Sequence, residues 1–143
     1  MTIPVDISLI HPDALLPEYK TAGAVAFDLA VIEEKTIEPG QIVKFQTGLV
    51  IKVPENHVLV LAARSSNTNK AIQMANGIGV IDQDYCGPED QLHLALYNIG
   101  SEPYTVKKGE RIAQGMFLPV SLAVFSLKET MDSPSRGGFG TTG

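Results

Sequence analysis

Residues 79–90 read GVIDQDYCGPED. An apolar run ends there in Asp82, Asp84 and Tyr85, beside Cys86, the chain's only cysteine. Carboxylates at a strand end can form a solvated turn, and they can also form a site. Arg64-Ser65-Ser66 follows another apolar run. A guanidinium, two hydroxyls and turn N–H groups make a phosphate cradle, although such tripeptides are common in turns. Gln114 interrupts an apolar stretch, and a buried amide needs partners, in a ligand or in a neighbouring chain. Asp28, in AFDLA, either faces solvent on an alternating strand or aims at a site. The C-terminal TMDSPSRGGFGTTG carries Arg136 and Phe139 among glycines. Its composition reads as a disordered tail, or as an arm that closes over an anionic, planar ligand.

Other chemistries find no support. His11, His57 and His93 lack ligand spacing, and no Cys/His cluster offers a zinc site. There is no Ser-His-Asp order and no GxxxxGK[ST] loop. Lys108-Gly109-Glu110-Arg111 reads as a turn entering a strand, with a Glu–Arg surface pair.

The elements that must position these groups are short strands. At 143 residues the chain is one domain by length, and 44% apolar content is enough for a real core. Alternation places Ile3, Val5, Ile7 and Leu9 on one face of a strand over Thr2–Leu9. Further strands are predicted over Val25–Val31, Ile42–Val53 with a break at Thr47-Gly48, and Val58–Ala63. Asn67–Asn76 reads as a loop or short helix. The runs at Gly79–Ile81 and Leu92–Tyr97 read as a β-hairpin, and Arg111–Pro119 and Leu122–Leu127 close the ordered part. Turn signals at Glu38-Pro39-Gly40, Pro54-Glu55-Asn56 and Lys107-Lys108-Gly109 separate them. No long helical stripe occurs. The expectation is an all-β sandwich or barrel over residues 1–129, followed by an arm over 130–143.

The net charge of −5 argues against a broad basic surface for nucleic acid or membrane. No window reaches the ~18 apolar residues of a membrane span, and the N-terminus lacks a signal-peptide pattern. A lone cysteine fits a reducing compartment, so cytoplasmic is the expected location.

Together the motifs resemble the trimeric dUTP diphosphatase (dUTPase) family. AGAVAFDLA, ARSSN, NGIGVIDQDYCG, KGERIAQGMF and RGGFGTTG match its five motifs in order along nearly the whole chain. The resemblance implies a jelly-roll-like β-sandwich subunit with a flexible Gly-rich arm, and a homotrimer with three shared active sites. It implies Mg²⁺-dependent hydrolysis of dUTP to dUMP and pyrophosphate, which limits uracil in DNA and supplies dUMP for dTMP synthesis. Asp28 matches the acid that holds the metal through water. Arg64, Ser65, Ser66 and Gln114 match phosphate-binding groups. Asp82 matches the base that activates water at the α-phosphorus, whereas Asp84 is assigned a structural or electrostatic part. The backbone from Asn76 through Gly79 to Ile81 would read uracil. Tyr85 would pack under deoxyribose and exclude a 2′-hydroxyl. Phe139 would stack on uracil, while Arg136, Gly137 and Gly138 would meet the phosphates.

The chain departs from the family pattern at four places. Ala26-Phe27 replaces a Gly-Tyr pair, and Asn67 stands where an apolar residue is common. Pro88-Glu89-Asp90 lengthens the expected hairpin, with Asp90 facing solvent. Pro134 occupies the usual arm-arginine position, with Arg136 next to Gly137 instead. Two rival readings share the fold. A dCTP deaminase, alone or bifunctional, would need an arginine at position 69 and a glutamate at 95, where this chain has Asn69 and Ala95. A non-catalytic nucleotide-binding relative would have no use for Asp82.

Overall fold

The structure is a computed structural model and describes residues 2–140. The last residues of the expected arm, 141–143, lie outside the described residues. Eleven strands follow in order: β1 (Asp6–Leu9), β2 (Phe27–Ala30), β3 (Lys35–Ile37), β4 (Ile42–Gln46), β5 (Leu49–Lys52), β6 (His57–Ala63), β7 (Ile72–Met74), β8 (Gly79–Ile81), β9 (His93–Asn98), β10 (Tyr104–Val106) and β11 (Arg111–Pro119). One 3₁₀ segment, Ser65–Lys70, sits between β6 and β7.

All pairings are antiparallel. One sheet has the order β2-β11-β6-β8 and a second the order β4-β9-β7, while β1-β5 and β3-β10 form two-stranded ribbons. Alternation decides which face is buried. In β9, Leu94, Leu96 and Asn98 point inward between exposed or half-buried neighbours. In β6, Leu59 and Leu61 point inward. The four leucines join Phe27, Leu29, Phe45, Ile72 and Ile112 in one hydrophobic cluster, so the two larger sheets share a core. The chain is an all-β sandwich, as its alternation predicts.

Four local expectations change. The first strand is confined to Asp6–Leu9, because only that part has a partner, in β5. Likewise Val25 is exposed and precedes β2. Ile72–Met74, expected within a loop or helix, is a strand paired with β9. Leu122–Leu127 forms no strand: it finds no strand partner among the described residues, and Leu122, Val124, Phe125 and Leu127 are exposed.

The largest correction concerns the opening stretch. Gly79–Ile81 pairs with Leu59–Leu61 of β6, whereas β9 pairs with β4 and β7. Residues 82–92 therefore cross from one sheet to the other instead of closing a hairpin. Asp82 and Tyr85 sit on that crossover.

Candidate active site

Three adjacent strands of the four-stranded sheet assemble the first group. In β11 the register slips between Arg111 and Ala113, so two residues of β11 oppose one of β2. Such a bulge re-aims the side chains after it. Ile112 and Ala113 are both buried as a result, and Gln114 then lies opposite Asp28 on one side and Ala62 on the other. Gln114 Nε2 donates to the Ala63 carbonyl at 2.9 Å. That bond holds the amide beside the end of β6, where Arg64 precedes the 3₁₀ segment.

Asp28 is the centre of this group. Its side chain is only 11% exposed, and two guanidiniums meet it: Arg64 Nε at 3.0 Å from Oδ1 and Arg111 Nε at 3.4 Å from Oδ2. Arg64 Nη1 also donates to the Arg111 carbonyl at 2.7 Å, which ties the Arg64 side chain to the start of β11. Two cations around one carboxylate leave a net positive spot in a chain of net charge −5. Asp28 Oδ2 is buried and accepts no hydrogen bond within the described residues. Ser66 Oγ is in the same condition. Buried polar atoms without partners are rare in folded proteins and call for a ligand, water or ion. Beside Asp28 and Arg111 lies a cleft of about 300 Å³, lined also by Leu15, Leu16, Glu18 and Lys20. The hydrogen bond from Lys20 keeps the Glu18 carboxyl below its ordinary pKa.

Behind this group a second carboxylate acts as a clamp. Glu110 Oε1 accepts from Lys70 Nζ at 2.7 Å and from the Tyr104 hydroxyl at 2.6 Å, and Oε2 accepts from the Lys107 amide at 2.9 Å. Burial pushes the Glu110 carboxyl up, but these hydrogen bonds hold it below its ordinary value. The same burial, followed by the Glu110 bond, pushes the Tyr104 hydroxyl well above its ordinary value. Lys70 ends the 3₁₀ segment that Ser65 begins, so the clamp braces the Arg64–Ser66 turn from below. The expected Glu110–Arg111 surface pair does not form. The two side chains leave the strand start in different directions, one to Lys70 and one to Asp28.

The second group lies on β8 and the crossover. Gly79 is buried, and a Cβ there would sit 3.0 Å from the Leu61 side chain, so a larger residue would press β8 against β6. Asn76 and Ile78 are exposed on the turn before it. Ile81 is half-buried opposite Leu59. Asp82 and Asp84 are exposed, and Asp82 makes no ion pair among the described residues. Tyr85 is 36% exposed and donates from its hydroxyl to the Gln91 carbonyl at 3.0 Å. Asp90, expected to face solvent, is half-buried instead: its Oδ2 accepts from the Gly87 amide at 2.7 Å.

These two groups do not meet within one chain. Ile81 lies opposite Leu59, while Gln114 and Arg64 cluster at the Ala63 end of β6. Four residues of β6 separate those ends, about 13 Å at ~3.3 Å per residue. A further strand separation lies between β8 and β11. The arm joins neither group: Arg136, Gly137, Gly138 and Phe139 are all exposed. Another cleft, about 950 Å³, holds none of the predicted site residues and is lined by apolar groups such as Ile3, Ile7, Val25, Phe27 and Phe117.

Sequence reasoning left out Arg111, Glu110, Lys70 and Gln91 as site-supporting residues. Arg111 and Glu110 stand within KGERIAQGMF, so their motif was the available signal. Lys70 and Gln91 carry no such signal, because their partners lie 40 and 43–45 residues away.

Comparison with known proteins agrees with this geometry. The dUTPase family model matches residues 13–143. A deoxyuridine 5′-triphosphate nucleotidohydrolase of Desulfitobacterium hafniense is 46% identical, over 99% of this chain and 97% of that protein. One from Wolinella succinogenes is 36% identical, over 94% of this chain and 90% of that protein. Among solved structures, the dUTPase of Streptococcus mutans has a TM-score of 0.76 at 34% identity, covering 83% of this chain and 98% of that one. A mutant Staphylococcus bacteriophage 80alpha dUTPase with dUpNHpp reaches 0.88, over 99% of each chain, and at 22% identity it speaks for the fold alone. By its sequence and its fold, the chain belongs to the dUTPase family.

Proposed function

We propose that this dUTPase hydrolyses dUTP to dUMP and pyrophosphate by water attack at the α-phosphorus, in sites shared between copies of a homotrimer. The juxtaposition of Asp28, Arg64, Ser66 and Gln114 on three adjacent strands carries the reading. It supplies positive charge from Arg64 and Arg111 and a Ser66 hydroxyl without a hydrogen-bond partner among the described residues, both suited to a triphosphate. Asp82 and Tyr85 lie too far along the same sheet to join that cradle within one chain. A neighbouring subunit supplies them in this reading, and the exposed arm with Arg136, Gly137, Gly138 and Phe139 closes the site.

The donor set fits Mg²⁺ held mainly by substrate. Among the described residues no three His, Cys, Asp or Glu side chains converge into a metal cage. Mg²⁺ retains waters and is held by one or two carboxylates together with phosphates. Asp28 Oδ2, which accepts no hydrogen bond among the described residues and has Arg111 Nε 3.4 Å away, is an acceptor for such a water. Bound with the triphosphate, the metal offsets part of its negative charge.

The protein's residues do the rest. Arg64 and the Ser65 and Ser66 hydroxyls orient the phosphates, and Gln114 contributes its amide from β11. Asp82 removes the proton from the attacking water, a step in which a placed base contributes about 10²–10⁴-fold. The backbone at Asn76, Gly79 and Ile81 reads the uracil edge, where a wrong edge leaves buried groups unpaired. Tyr85 packs on deoxyribose, and Phe139 stacks on the base.

No helix among the described residues is long and apolar enough to cross a membrane. We assign the enzyme to the cytoplasm, where Cys86 stays reduced.

One assay tests the proposal. The protein is incubated with Mg²⁺ and dUTP, dCTP, dTTP or UTP, and pyrophosphate and ammonia are measured. Pyrophosphate from dUTP alone is expected; ammonia from dCTP would identify a deaminase. Asp82→Asn should bind dUTP yet lose nearly all turnover, and full activity in that variant would remove Asp82 from the mechanism. A mass in solution near three subunits is expected.

A further inference from the structure

Hydrolysis needs Asp82 and Tyr85, but it does not explain the five residues that follow Cys86. Gly87-Pro88-Glu89-Asp90-Gln91 is held by an unusual density of polar contacts for an exposed crossover. The Asp90 amide donates to the Gly87 carbonyl at 3.1 Å, and Asp90 Oδ2 accepts from the Gly87 amide at 2.7 Å. These reciprocal bonds close a β-turn with Pro88 at its second position, where a fixed φ suits it. A Cβ at position 87 would stand 2.8 Å from Asp90 Oδ2, so a larger residue there would displace the Asp90 carboxylate. Gln91 then locks the turn to the sheet. Its Oε1 accepts from the Gly48 amide at 2.9 Å, its Nε2 donates to Gln46 Oε1 at 3.0 Å, and its own amide donates to the Glu89 carbonyl at 2.8 Å.

The remaining free group of Gln91 is its carbonyl, and that carbonyl receives the Tyr85 hydroxyl at 3.0 Å. At its other end the Tyr85 amide reaches back to the Asp82 carbonyl at 3.4 Å. A half-exposed ring on a loop would otherwise be free to change rotamer. Here one hydroxyl bond to a doubly anchored residue fixes it.

We propose that Asp90 and Gln91 are positioning residues that set the Tyr85 ring and thereby the discrimination of deoxyribose from ribose. The inference rests on the reading of Tyr85 as the ring beneath the sugar. Excluding a single hydroxyl demands a wall that does not yield, because a shift well under an ångström would admit the extra atom. Asp90 closes the turn, the turn places the Gln91 carbonyl, and the carbonyl holds the ring.

The test is the ratio of kcat/KM for dUTP to that for UTP, measured on the full-length protein. Asp90→Ala should lower the ratio about fivefold, the size that one net hydrogen bond supports. Tyr85→Phe keeps the ring, cuts only the tether and should lower the ratio by a similar factor. The double variant should lose no more than the larger single loss, since both changes break one chain of contacts. Asp90→Asn retains an acceptor oxygen and should restore most of the discrimination. Equal losses for dUTP and UTP in Asp90→Ala and Tyr85→Phe would mark the turn as merely structural and overturn the proposal. Independent, multiplying effects would overturn it as well. Tyr85→Leu tests the underlying reading separately: an unchanged ratio there removes Tyr85 as the sugar gauge, whatever Asp90 does. Should Asp90→Ala fail to fold, Tyr85→Phe decides alone, because it leaves the turn intact.

Discussion

Glu110 ties the turn before β11 to Lys70 at the end of the 3₁₀ segment, and replacing it with glutamine costs stability by an amount that depends on pH. The carboxylate takes three hydrogen bonds, from Lys70, Tyr104 and the Lys107 amide. Its side chain is 19% exposed and that of Lys70 is 22% exposed, so solvent screens the pair only in part. In Glu110→Gln one acceptor oxygen becomes an NH₂ donor, which must face another donor. The Lys70 bond also loses its charge assistance. Charge-assisted bonds contribute about 1.5–3 kcal/mol, and partial exposure reduces that, so the loss at neutral pH is about 2 kcal/mol. With a urea slope of about 2 kcal/mol per molar, the unfolding midpoint should fall by roughly 1 M.

The pH dependence follows from the direction of the shifts. The Glu110 carboxyl is pushed up by burial but held, on balance, below its ordinary value of 4.5 by Lys70, Tyr104 and Lys107. A folded value below the unfolded one means that the folded state binds fewer protons as the pH falls through that window. The clamp's contribution is therefore complete above the ordinary value and is lost as pH falls through the lowered one. Tyr104 has the opposite sign. Burial, and then Glu110, raise its hydroxyl above the ordinary value of 10.0, so that contribution is complete below 10.0 and lost as pH rises through the folded value. Urea midpoints of wild type and Glu110→Gln, at fixed subunit concentration and ionic strength, should differ most near neutrality and draw together as the pH falls below the ordinary value of 4.5. A gap that stays constant as the pH falls below that value, or widens toward acid, would refute the reasoning.

Other perturbations read different parts of the molecule. Gly115→Ala places a Cβ 2.6 Å from Phe27 Cε2 in the middle of the four-stranded sheet. Overpacking of that kind costs about 1–3 kcal/mol; denaturant unfolding should show the loss, and Phe27→Leu in the same chain should recover part of it. Asn98→Ala removes a buried amide that donates to the Ile37 and Glu102 carbonyls and accepts from the Gly100 amide, each at 2.8 Å. Leaving those groups unpaired should lower stability by about 2–4 kcal/mol in the same measurement. Deleting Arg136–Gly143 should lower kcat/KM for dUTP at least about tenfold through lost positioning. The unfolding midpoint should stay unchanged, because residues 136–140 are exposed; an unaffected rate would show that the arm takes no part in turnover.

Much of the fold was legible because a strand buries alternate residues. That period located β4, β5, β6 and β11 closely, including the break at Thr47-Gly48 and the whole of Arg111–Pro119. It could not say which strand pairs with which. Gly79–Ile81 and Leu92–Tyr97 look like two arms of a hairpin by pattern and belong to different sheets. Leu122–Leu127 has a strand-like composition, yet without a partner edge among the described residues it forms none.

The chemical identity of the site belongs to the sequence. Asp28, Arg64, Ser66, Asp82, Tyr85 and Gln114 are each marked by a charged or polar type at a strand end or inside an apolar run, and their order along the chain specifies the family. Their arrangement belongs to the tertiary structure. Pairing of β2 and β6 with β11 brings Asp28, Arg64 and Gln114 together across 36 to 86 residues of chain. The β8 register sends Asp82 to the other end of the sheet. The crossover ties Tyr85 to Gln91. Side-chain type and period are local properties, so a sequence can carry them. Register, sheet assignment and the meeting of distant polar groups depend on which surfaces the core brings into contact, and only the folded chain decides that.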